Sequence, residues 1–198
     1  MLFTKMIWFG LLFFCGSAAF SQTYQAVLTE GSSFILRGSS NVNKFSLVYK
    51  GNLNNADNVK VQTVSNRMNV KASKALSLKV HDFESSNSYI TRDFRKMLRA
   101  ETYPFLSIEP VSFWHQKDQP GIICALVNIT IAGCTRQETI SLSMINQNSS
   151  SALCRGSHNI SLKRYQLAAP KKALGAVQVN DEVVIDMQLG IQFKKTKT

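Results

Sequence analysis

The chain has 198 residues, of which 44% are hydrophobic, and it contains four prolines and ten glycines. This composition excludes a disordered or fibrous chain and is typical of one ordinary packed domain. The formal net charge of +11 favours anionic partners such as nucleic acid, acidic polymers or a membrane surface, because long-range electrostatics attract them. The cations are scattered along the sequence without interleaved aromatic residues, so a solvated basic surface is the alternative interpretation.

The start of the chain carries an apolar run after Lys5, MIWFGLLFFCGSAA, which ends in small residues. The run has the length of the hydrophobic region of a secretory signal peptide and is too short to cross a bilayer comfortably. Ala19 and Ser21 provide the small side chains that a signal peptidase reads. Residues 1–21 are therefore predicted to be a cleaved signal peptide, and residues 22–198 a single exported domain.

Export predicts a periplasmic or secreted protein and makes nucleic acid the poorest of the anionic partners, so we expect no nucleic-acid binding. A retained membrane anchor is one alternative interpretation of the apolar run. Lipid attachment at Cys15 is another, although Phe14 before it is too bulky for a lipoprotein cleavage site.

Alternation of apolar and polar residues predicts strands along most of the remaining chain. The clearest alternation is in VVIDMQLGIQF, where every second residue from Val183 to Phe193 is apolar. Polar connections such as AGCTRQ and NQNSSS are typical of hairpins. Nine strands are predicted, at residues 33–38, 44–53, 59–64, 67–80, 105–114, 122–132, 138–146, 152–163 and 182–194.

The predicted strands favour an all-β protein, an antiparallel barrel of about eight strands with one or two short helices. Strands of this length are long for a sandwich. A barrel of this size has an interior just wide enough to hold one small ligand.

Residues 92–100 have helical periodicity instead. One face is apolar and carries Phe94, Met97 and Leu98. The other face carries four cations, Arg92, Arg95, Lys96 and Arg99. We expect a helix beside one mouth of the barrel, with its apolar face closing the interior and a break set by Pro104. The cations either attract an anionic membrane surface or form a solvated face.

Three cysteines follow the predicted signal peptide, Cys124, Cys134 and Cys154, and an odd number in an exported chain requires explanation. The predicted strand order places Cys124 and Cys154 on two strands that flank a shared neighbour, which separates them by roughly 9.5 Å. The Cα atoms of a disulfide lie within about 7 Å of each other. We therefore expect no structural disulfide, and the cysteine spacings predict no metal site.

The sequence carries no GxSxG, HExxH or Gly-rich phosphate loop. A Ser-His-Asp constellation stays open on composition, because His81, His115 and His158 are present. His158 shares its strand parity with Ile160 and Leu162, so it is expected to face the barrel interior. There it is either a hydrogen-bonded wall residue or a contact for a ligand headgroup. We predict a protein that is not an enzyme and has no catalytic residues, cofactor or metal.

Four segments in order resemble the signature segments of the YceI-like family of exported, lipocalin-like proteins. They are GSSNVNKF (38–45), RDFRKMLRAETYPFLSI (92–108), NITIAGCTRQETISL (128–142) and ISLKRYQLAAPKKALGAVQVNDEVVIDMQL (160–189). The resemblance implies an antiparallel β-barrel with a long apolar interior that binds polyisoprenoid-type or similar lipid chains, usually in the periplasm. Cys134 departs from the small β-branched residue usual in the family, and Lys163-Arg164-Tyr165 departs from a Ser-Asp-Phe-like run.

An isoprenoid or fatty-acyl lipid is therefore the expected partner, and a deep apolar tunnel is enough to bind it, because each buried CH₂ contributes about 0.8 kcal/mol. The alternatives are an envelope stress or surface-binding barrel with a filled core, and an enzyme with converging polar groups. The sequence leaves the oligomeric state open. The residues expected to contact the lipid are the inward-facing ones, Phe34, Leu36, Phe45, Leu47, Leu76, Leu78, Phe94, Met97, Leu98, Leu106, Ile108, Val127, Ile129, Ile131, Leu142, Met144, His158, Ile160, Leu162, Met187 and Leu189.

Overall fold

The computed structural model describes residues 23–53, 59–64, 67–72, 75–148, 150–172 and 176–195, and the predicted signal peptide lies outside them. The strands are β1 (Thr23–Leu28), β2 (Ser33–Ser39), β3 (Lys44–Tyr49), β4 (Val59–Val64), β5 (Arg67–Ala72), β6 (Leu76–Lys79), β7 (Phe83–Glu84), β8 (Phe105–Gln116), β9 (Gln119–Ile131), β10 (Cys134–Gln147), β11 (Ser151–Ser161), β12 (Lys171–Lys172), β13 (Val177–Gln178) and β14 (Glu182–Lys195). The helix α1 spans Ser88–Met97, and two short 3-10 helices span Val80–Asp82 and Lys163–Tyr165.

Eight strands form a ring of antiparallel pairings in the order β1-β4-β5-β8-β9-β10-β11-β14, and β14 pairs back onto β1. The ring confirms the predicted all-β barrel of about eight strands. Its wall depends on five long strands, β8, β9, β10, β11 and β14, whose alternating residues place one apolar face inside. No helix among the described residues is long and apolar enough to span a bilayer.

Two of the long strands change partners halfway along the barrel. β14 pairs with β2 along residues 184–188 and with β1 along residues 191–195. β8 pairs with β6 along residues 105–108 and with β5 along residues 112–114. The wall therefore has one set of strands at the end where α1 lies, called the helix end, and another set at the opposite end, called the far end.

The hairpin between β9 and β10 sets the register of the wall. Its two loop residues, Ala132 and Gly133, both have positive φ values of 48° and 81°. This conformation matches the twist of a two-residue hairpin, and it pairs Cys134 directly with Ile131. A hairpin connection was predicted at this place from the sequence AGCTRQ.

The helix differs from the prediction at both of its ends. It begins at Ser88, four residues before Arg92, because the side chain of Asn87 caps it by accepting a hydrogen bond from the backbone N–H of Tyr89 at 2.9 Å. It ends at Met97, and Arg99 has a φ of 52°, in the left-handed region that terminates helices. The helix thus stops well before Pro104.

The strand predictions over residues 67–80 and 44–53 need correction, and β1 was missed. The strand predicted over residues 67–80 is β5 and β6, followed by the 3-10 helix that contains His81. The strand predicted over residues 44–53 ends at Tyr49, since the next backbone N–H, that of Lys50, donates to the carbonyl of Asp82 in that 3-10 helix at 2.8 Å. β1 was not predicted at all, because the apolar residues of TYQAVL do not alternate cleanly.

The core lies inside the barrel and continues beneath α1. The ring of Phe83 on β7 is fully buried and lies 5.0 Å from the ring of Tyr49 and 5.5 Å from that of Phe94, centroid to centroid. Tilted aromatic pairs at such distances are stabilising. The backbone N–H of Ser85 also donates to the hydroxyl of Thr91 at 2.9 Å. Together these contacts fix α1 against β3 and β7.

The cysteines lie where the predicted strand order puts them. Cys124 on β9 and Cys154 on β11 flank β10, and all three thiols are free. Cys154 lines the barrel interior, whereas Cys124 lies between the inward-facing Ile123 and Ala125 and so points the other way. The two buried thiols are on opposite faces of the wall.

Candidate functional site

The interior of the barrel, as far as its described residues define it, is hollow and includes two cavities. The smaller, of ≈ 120 Å³, lies at the helix end, and the larger, of ≈ 340 Å³, lies toward the far end. Their described lining residues do not overlap. The sequence predicts a deep apolar tunnel, so the division of the interior is a finding of the structure.

The larger cavity has an almost entirely apolar wall. Its polar side chains among the described residues are His115 and Gln147, both near the ends of strands at the far end. The Nδ1 atom of His115 lies 3.2 Å from the carbonyl oxygen of Pro120, so the ring is oriented by its own hairpin. The volume is within the range of ligand pockets, about 300–1,000 Å³. The cavity can therefore hold an apolar chain with a polar group at its far end.

The smaller cavity lies between α1, the barrel wall and a segment that follows β11. This segment, residues 162–179, is called the cap segment, and its residues 173–175 lie outside the described part of the chain. It contributes apolar side chains to the cavity, namely Leu162, Leu167, Pro170, Val177 and Val179. The helix contributes Ile90, Asp93, Phe94, Met97 and Leu98.

Hydrogen bonds hold both ends of the cap segment against the barrel. At its start, the hydroxyl of Ser161 donates to Asp181 at 2.6 Å and the backbone N–H of Lys163 donates to the same carboxylate at 2.9 Å. The bond from Ser161 is the main cause that lowers the pKa of Asp181 below its ordinary value. Near its end, the side-chain amide of Asn41 donates to the carbonyl of Ala176 at 2.8 Å.

Most of the residues predicted to contact a lipid line one of the two cavities. Those that line the smaller cavity are Leu36, Phe45, Leu47, Phe94, Met97, Leu98, Leu106, Ile131, Ile160 and Leu162. Those that line the larger cavity are Phe34, Leu76, Ile108, Val127, Leu142, Met144, Met187 and Leu189. The other three, Leu78, Ile129 and His158, line neither cavity.

These three residues and Glu138 lie beside the linings of the two cavities without belonging to either, and the four together are called the partition. Ile129 is only 2% exposed and lies on β9 between Val127 of the larger cavity and Ile131 of the smaller one. Residues two apart on a strand share a face, so Ile129 points into the same interior as Val127 and Ile131.

Glu138 makes the partition polar on one side. Its side chain is 8% exposed, and its Oε1 atom lies 3.0 Å from Nη1 of Arg164, whose side chain is half exposed. The hydroxyl of Tyr165 donates to the same oxygen at 3.4 Å. Burial is the main cause that raises the pKa of Tyr165, and the neighbouring carboxylate adds to it. The buried carboxylate is therefore paired and hydrogen-bonded, as a buried charge requires.

His158 faces the same carboxylate. Its Nε2 atom is 3.4 Å from Oε2 of Glu138, but the angle does not make a hydrogen bond, and this buried nitrogen has no hydrogen-bond partner among the described residues. The predicted inward orientation of the ring is correct. The hydrogen bond expected for a wall residue is not formed by this nitrogen.

Sequence reasoning missed Glu138 although a signal was present. The residue has the same parity on β10 as Ile140, Leu142 and Met144, so an inward carboxylate could have been predicted. Strand parity also indicates that Ile185 and Ile191 face inward, and they line the smaller and the larger cavity respectively. The residues that β1 and the cap segment contribute to the cavity linings could not be predicted in this way, because apolar and polar residues do not alternate in either segment.

The cations of α1 are only partly available to a partner. Arg95, which was expected outside, is half-buried and donates to the carbonyl of His81 at 2.6 Å. Arg99 lies over the ring of Tyr103 at 4.8 Å and donates to a backbone carbonyl at 3.3 Å. Arg92 and Lys96 remain at the surface.

Comparison with known proteins supports the fold. The sequence matches no protein-family model and no curated protein. The structure resembles BcnA from Burkholderia cenocepacia with a TM-score of 0.59 and 14% identity, over 80% of this chain and 95% of that one. It also resembles a polyisoprenoid binding domain from Saccharophagus degradans with a TM-score of 0.56 and 9% identity, over 87% and 99% of the two chains.

A YceI protein from Campylobacter jejuni aligns with a TM-score of 0.45 and 12% identity, over 81% of this chain and 85% of that one. At these identities a likeness establishes the fold alone. The chain shares the barrel fold of the first two structures, and an antiparallel β-barrel is the fold that its resemblance to the YceI-like family implied.

Proposed function

We propose that this YceI-like barrel is a non-enzymatic binding protein that holds an isoprenoid or fatty-acyl chain in its interior. The observation that carries the proposal is the larger cavity, ≈ 340 Å³ in volume and lined almost wholly by apolar side chains. A filled barrel would lack this space. The cavity favours a binding protein over the alternative of a barrel that only presents its outer surface.

The chemistry of the cavity suits a lipid tail better than a polar metabolite. A hydrocarbon chain gains about 0.8 kcal/mol for each CH₂ that leaves water, and it leaves no polar group unpaired. A sugar or nucleotide would bury hydroxyl groups against apolar walls without hydrogen bonds, which is unfavourable. The likeness in fold to a polyisoprenoid binding domain supports an isoprenoid among the possible chains.

The polar groups inside the barrel support a role other than catalysis. Glu138, Arg164 and Tyr165 bind one another. The raised pKa of Tyr165 makes its hydroxyl a poor nucleophile or base at neutral pH. Among the described residues, no three His, Cys, Asp or Glu side chains are arranged to hold a metal ion.

An anionic membrane surface is a second proposed partner, which the protein would contact through its helix end. Arg92 and Lys96 are exposed on α1, and the neighbouring Tyr89 is 65% exposed. Aromatic and cationic side chains together are favourable at a membrane interface. The predicted signal peptide would bring the protein to the periplasm or outside the cell, where such a surface is available.

Native mass spectrometry of the purified protein, followed by lipid extraction, tests the proposed function. We expect a bound species of lipid mass in the unaltered protein. Ala125→Trp places a large ring in the larger cavity, which Ala125 lines, and should abolish that species. Thr139→Trp is the matched control, because Thr139 is exposed on β10. A protein that neither carries a lipid nor takes one up from added farnesol would contradict the proposal.

A further inference from the structure

We propose that the partition formed by Leu78, Ile129, Glu138 and His158 limits the length of the chain that the larger cavity accepts. The inference rests on the proposed function and goes beyond it, because it assigns a specificity role to particular residues. It predicts that this barrel selects short chains, those that end at the partition, over chains long enough to run through both cavities.

The first argument is the position of the partition residues along their strands. On β11, Cys154 lines the larger cavity, Ile160 lines the smaller one, and His158 between them lines neither. On β9, Val127 lines the larger cavity, Ile131 lines the smaller one, and Ile129 between them lines neither. On β6, Leu78 is buried and lines neither cavity. Inward side chains on three separate strands thus lie outside both cavity linings, and two of them stand between the linings along their own strands.

The second argument is the inward position of Glu138 on a fourth strand. Glu138 is paired in register with Val127 of the larger cavity, and cross-strand neighbours share a face. It also has the parity of Ile140, which lines that cavity. The carboxylate therefore belongs to the same inward layer as Ile129 and His158.

The third argument is the chemistry of the layer. A hydrocarbon chain that passed Glu138 would press against a carboxylate that is held by Arg164 and Tyr165. The carboxylate cannot move aside without breaking these contacts, which would leave a buried charge unpaired and is strongly unfavourable. Next to Glu138 along the wall, Leu78 and Ile129 are packed at 2% exposure, so room for a chain requires their displacement. Both halves of the partition therefore resist a passing chain.

The length of the larger cavity follows from the strands that wall it. Along β14 its lining residues extend from Met187 to Phe193. Six residues of strand span about 20 Å, which is about 15 Å along the barrel axis at a strand tilt of ~40°. We expect the three-unit isoprenol farnesol to fill this length and the four-unit geranylgeraniol to exceed it.

The test measures the binding of geraniol, farnesol and geranylgeraniol by displacement of cis-parinaric acid from the full exported chain. In the unaltered protein, affinity should rise at least about tenfold from geraniol to farnesol, since the added unit is buried. It should rise less than about threefold from farnesol to geranylgeraniol, since the added unit stays outside the cavity.

Ile129→Ala removes bulk from the partition and should restore a gain of about tenfold or more from farnesol to geranylgeraniol. Leu78→Ala is a second variant of the same kind, which keeps the test decisive if Ile129→Ala does not fold. Ile131→Ala is the matched control: it removes the same atoms two residues away, from the smaller cavity, and should leave the chain-length limit unchanged.

A continuous gain through geranylgeraniol in the unaltered protein, or an equal gain in Ile131→Ala, would overturn the role of the partition. Those results would leave the proposed function intact, because all three alcohols would still bind. If the unaltered protein bound none of them, the proposed function itself would fail. The two failures are therefore distinguishable.

Discussion

The hydroxyl of Tyr165 donates a hydrogen bond to the carboxylate of Glu138 over 3.4 Å, and both side chains are buried. Tyr165 belongs to the 3-10 helix in the cap segment, and Glu138 belongs to the barrel wall. Arg164 pairs with the same carboxylate at 3.0 Å. This contact joins the cap segment to the polar side of the partition.

The first prediction concerns the stability that this contact supplies. Tyr165→Phe removes one hydrogen bond but leaves Glu138 paired with Arg164, so the free energy of unfolding should fall by about 1 kcal/mol. Glu138→Ala leaves the hydroxyl of Tyr165 buried without an acceptor and opens a hole, so the fall should be about 3 kcal/mol. Urea denaturation measures both. Equal losses, or a larger loss for Tyr165→Phe, would show that the carboxylate is not the centre of the cluster.

The second prediction concerns stability in acid. Hydrogen bonds from Ser161 and Lys163 lower the pKa of Asp181 below its ordinary value of 3.8. A carboxyl whose pKa is depressed in the folded state contributes stability that is fully present above the unfolded value, here 3.8. That stability is lost as the pH falls through the lower, folded-state value.

Asp181→Asn should remove this part of the acid sensitivity. The urea midpoint of the unaltered protein should decline more steeply below about pH 4 than that of the variant. Ser161→Ala should give an intermediate slope, because the bond from Ser161 is the largest cause of the depressed pKa. Parallel curves for all three proteins would be evidence against a folded-state pKa below the ordinary value.

The third prediction concerns the thiols. Cys124 and Cys154 are buried, Cys134 is partly exposed, and burial raises the pKa of Cys154. Since the thiolate is the reactive form, iodoacetamide should modify Cys134 at least about tenfold faster than the other two in the native protein. In urea without a reductant, all three should react. Mass spectrometry of the labelled peptides gives the rates, and rapid native labelling of Cys154 would mean that the larger cavity opens readily to solvent.

The fourth prediction concerns the membrane surface. The double substitution Arg92→Gln and Lys96→Gln removes two exposed cations of α1, each worth about 1 kcal/mol near an anionic bilayer. Binding to vesicles that contain phosphatidylglycerol should weaken about tenfold or more at low salt, and the loss should shrink as salt rises. Co-sedimentation measures the effect.

Two control variants make this prediction specific to the helix end. Lys117→Gln alters an exposed cation in the β8–β9 hairpin at the far end and should have a much smaller effect. Arg95→Gln should mainly lower the free energy of unfolding and should have little effect on vesicle binding, because Arg95 donates to the carbonyl of His81. If Lys117→Gln weakened vesicle binding as much as the double substitution, the attraction would depend on overall charge and not on α1.

The sequence by itself determined which side chains face the barrel interior on the long strands. Alternation fixes the side of each residue once the strand exists, so the inward positions of Val127, Leu142 and Met187 followed from their parity. The apolar face of α1 followed in the same way from helical spacing, since Phe94 and Leu98 are buried. These properties are local, because they depend on the backbone geometry of a single element.

Only the tertiary structure decided that the interior is hollow and divided. A filled barrel and a hollow one have the same alternation, because the free volume depends on whether side chains from opposite strands meet. Ile129 and Val127 have the same parity, yet Ile129 is packed outside both cavity linings and Val127 lines the larger cavity. Glu138 could be placed inside by its parity, but its ion pair needed Arg164 from a segment with no periodic pattern. Contacts between segments distant along the chain, which local periodicity does not encode, therefore set the size of the site and the position of the partition.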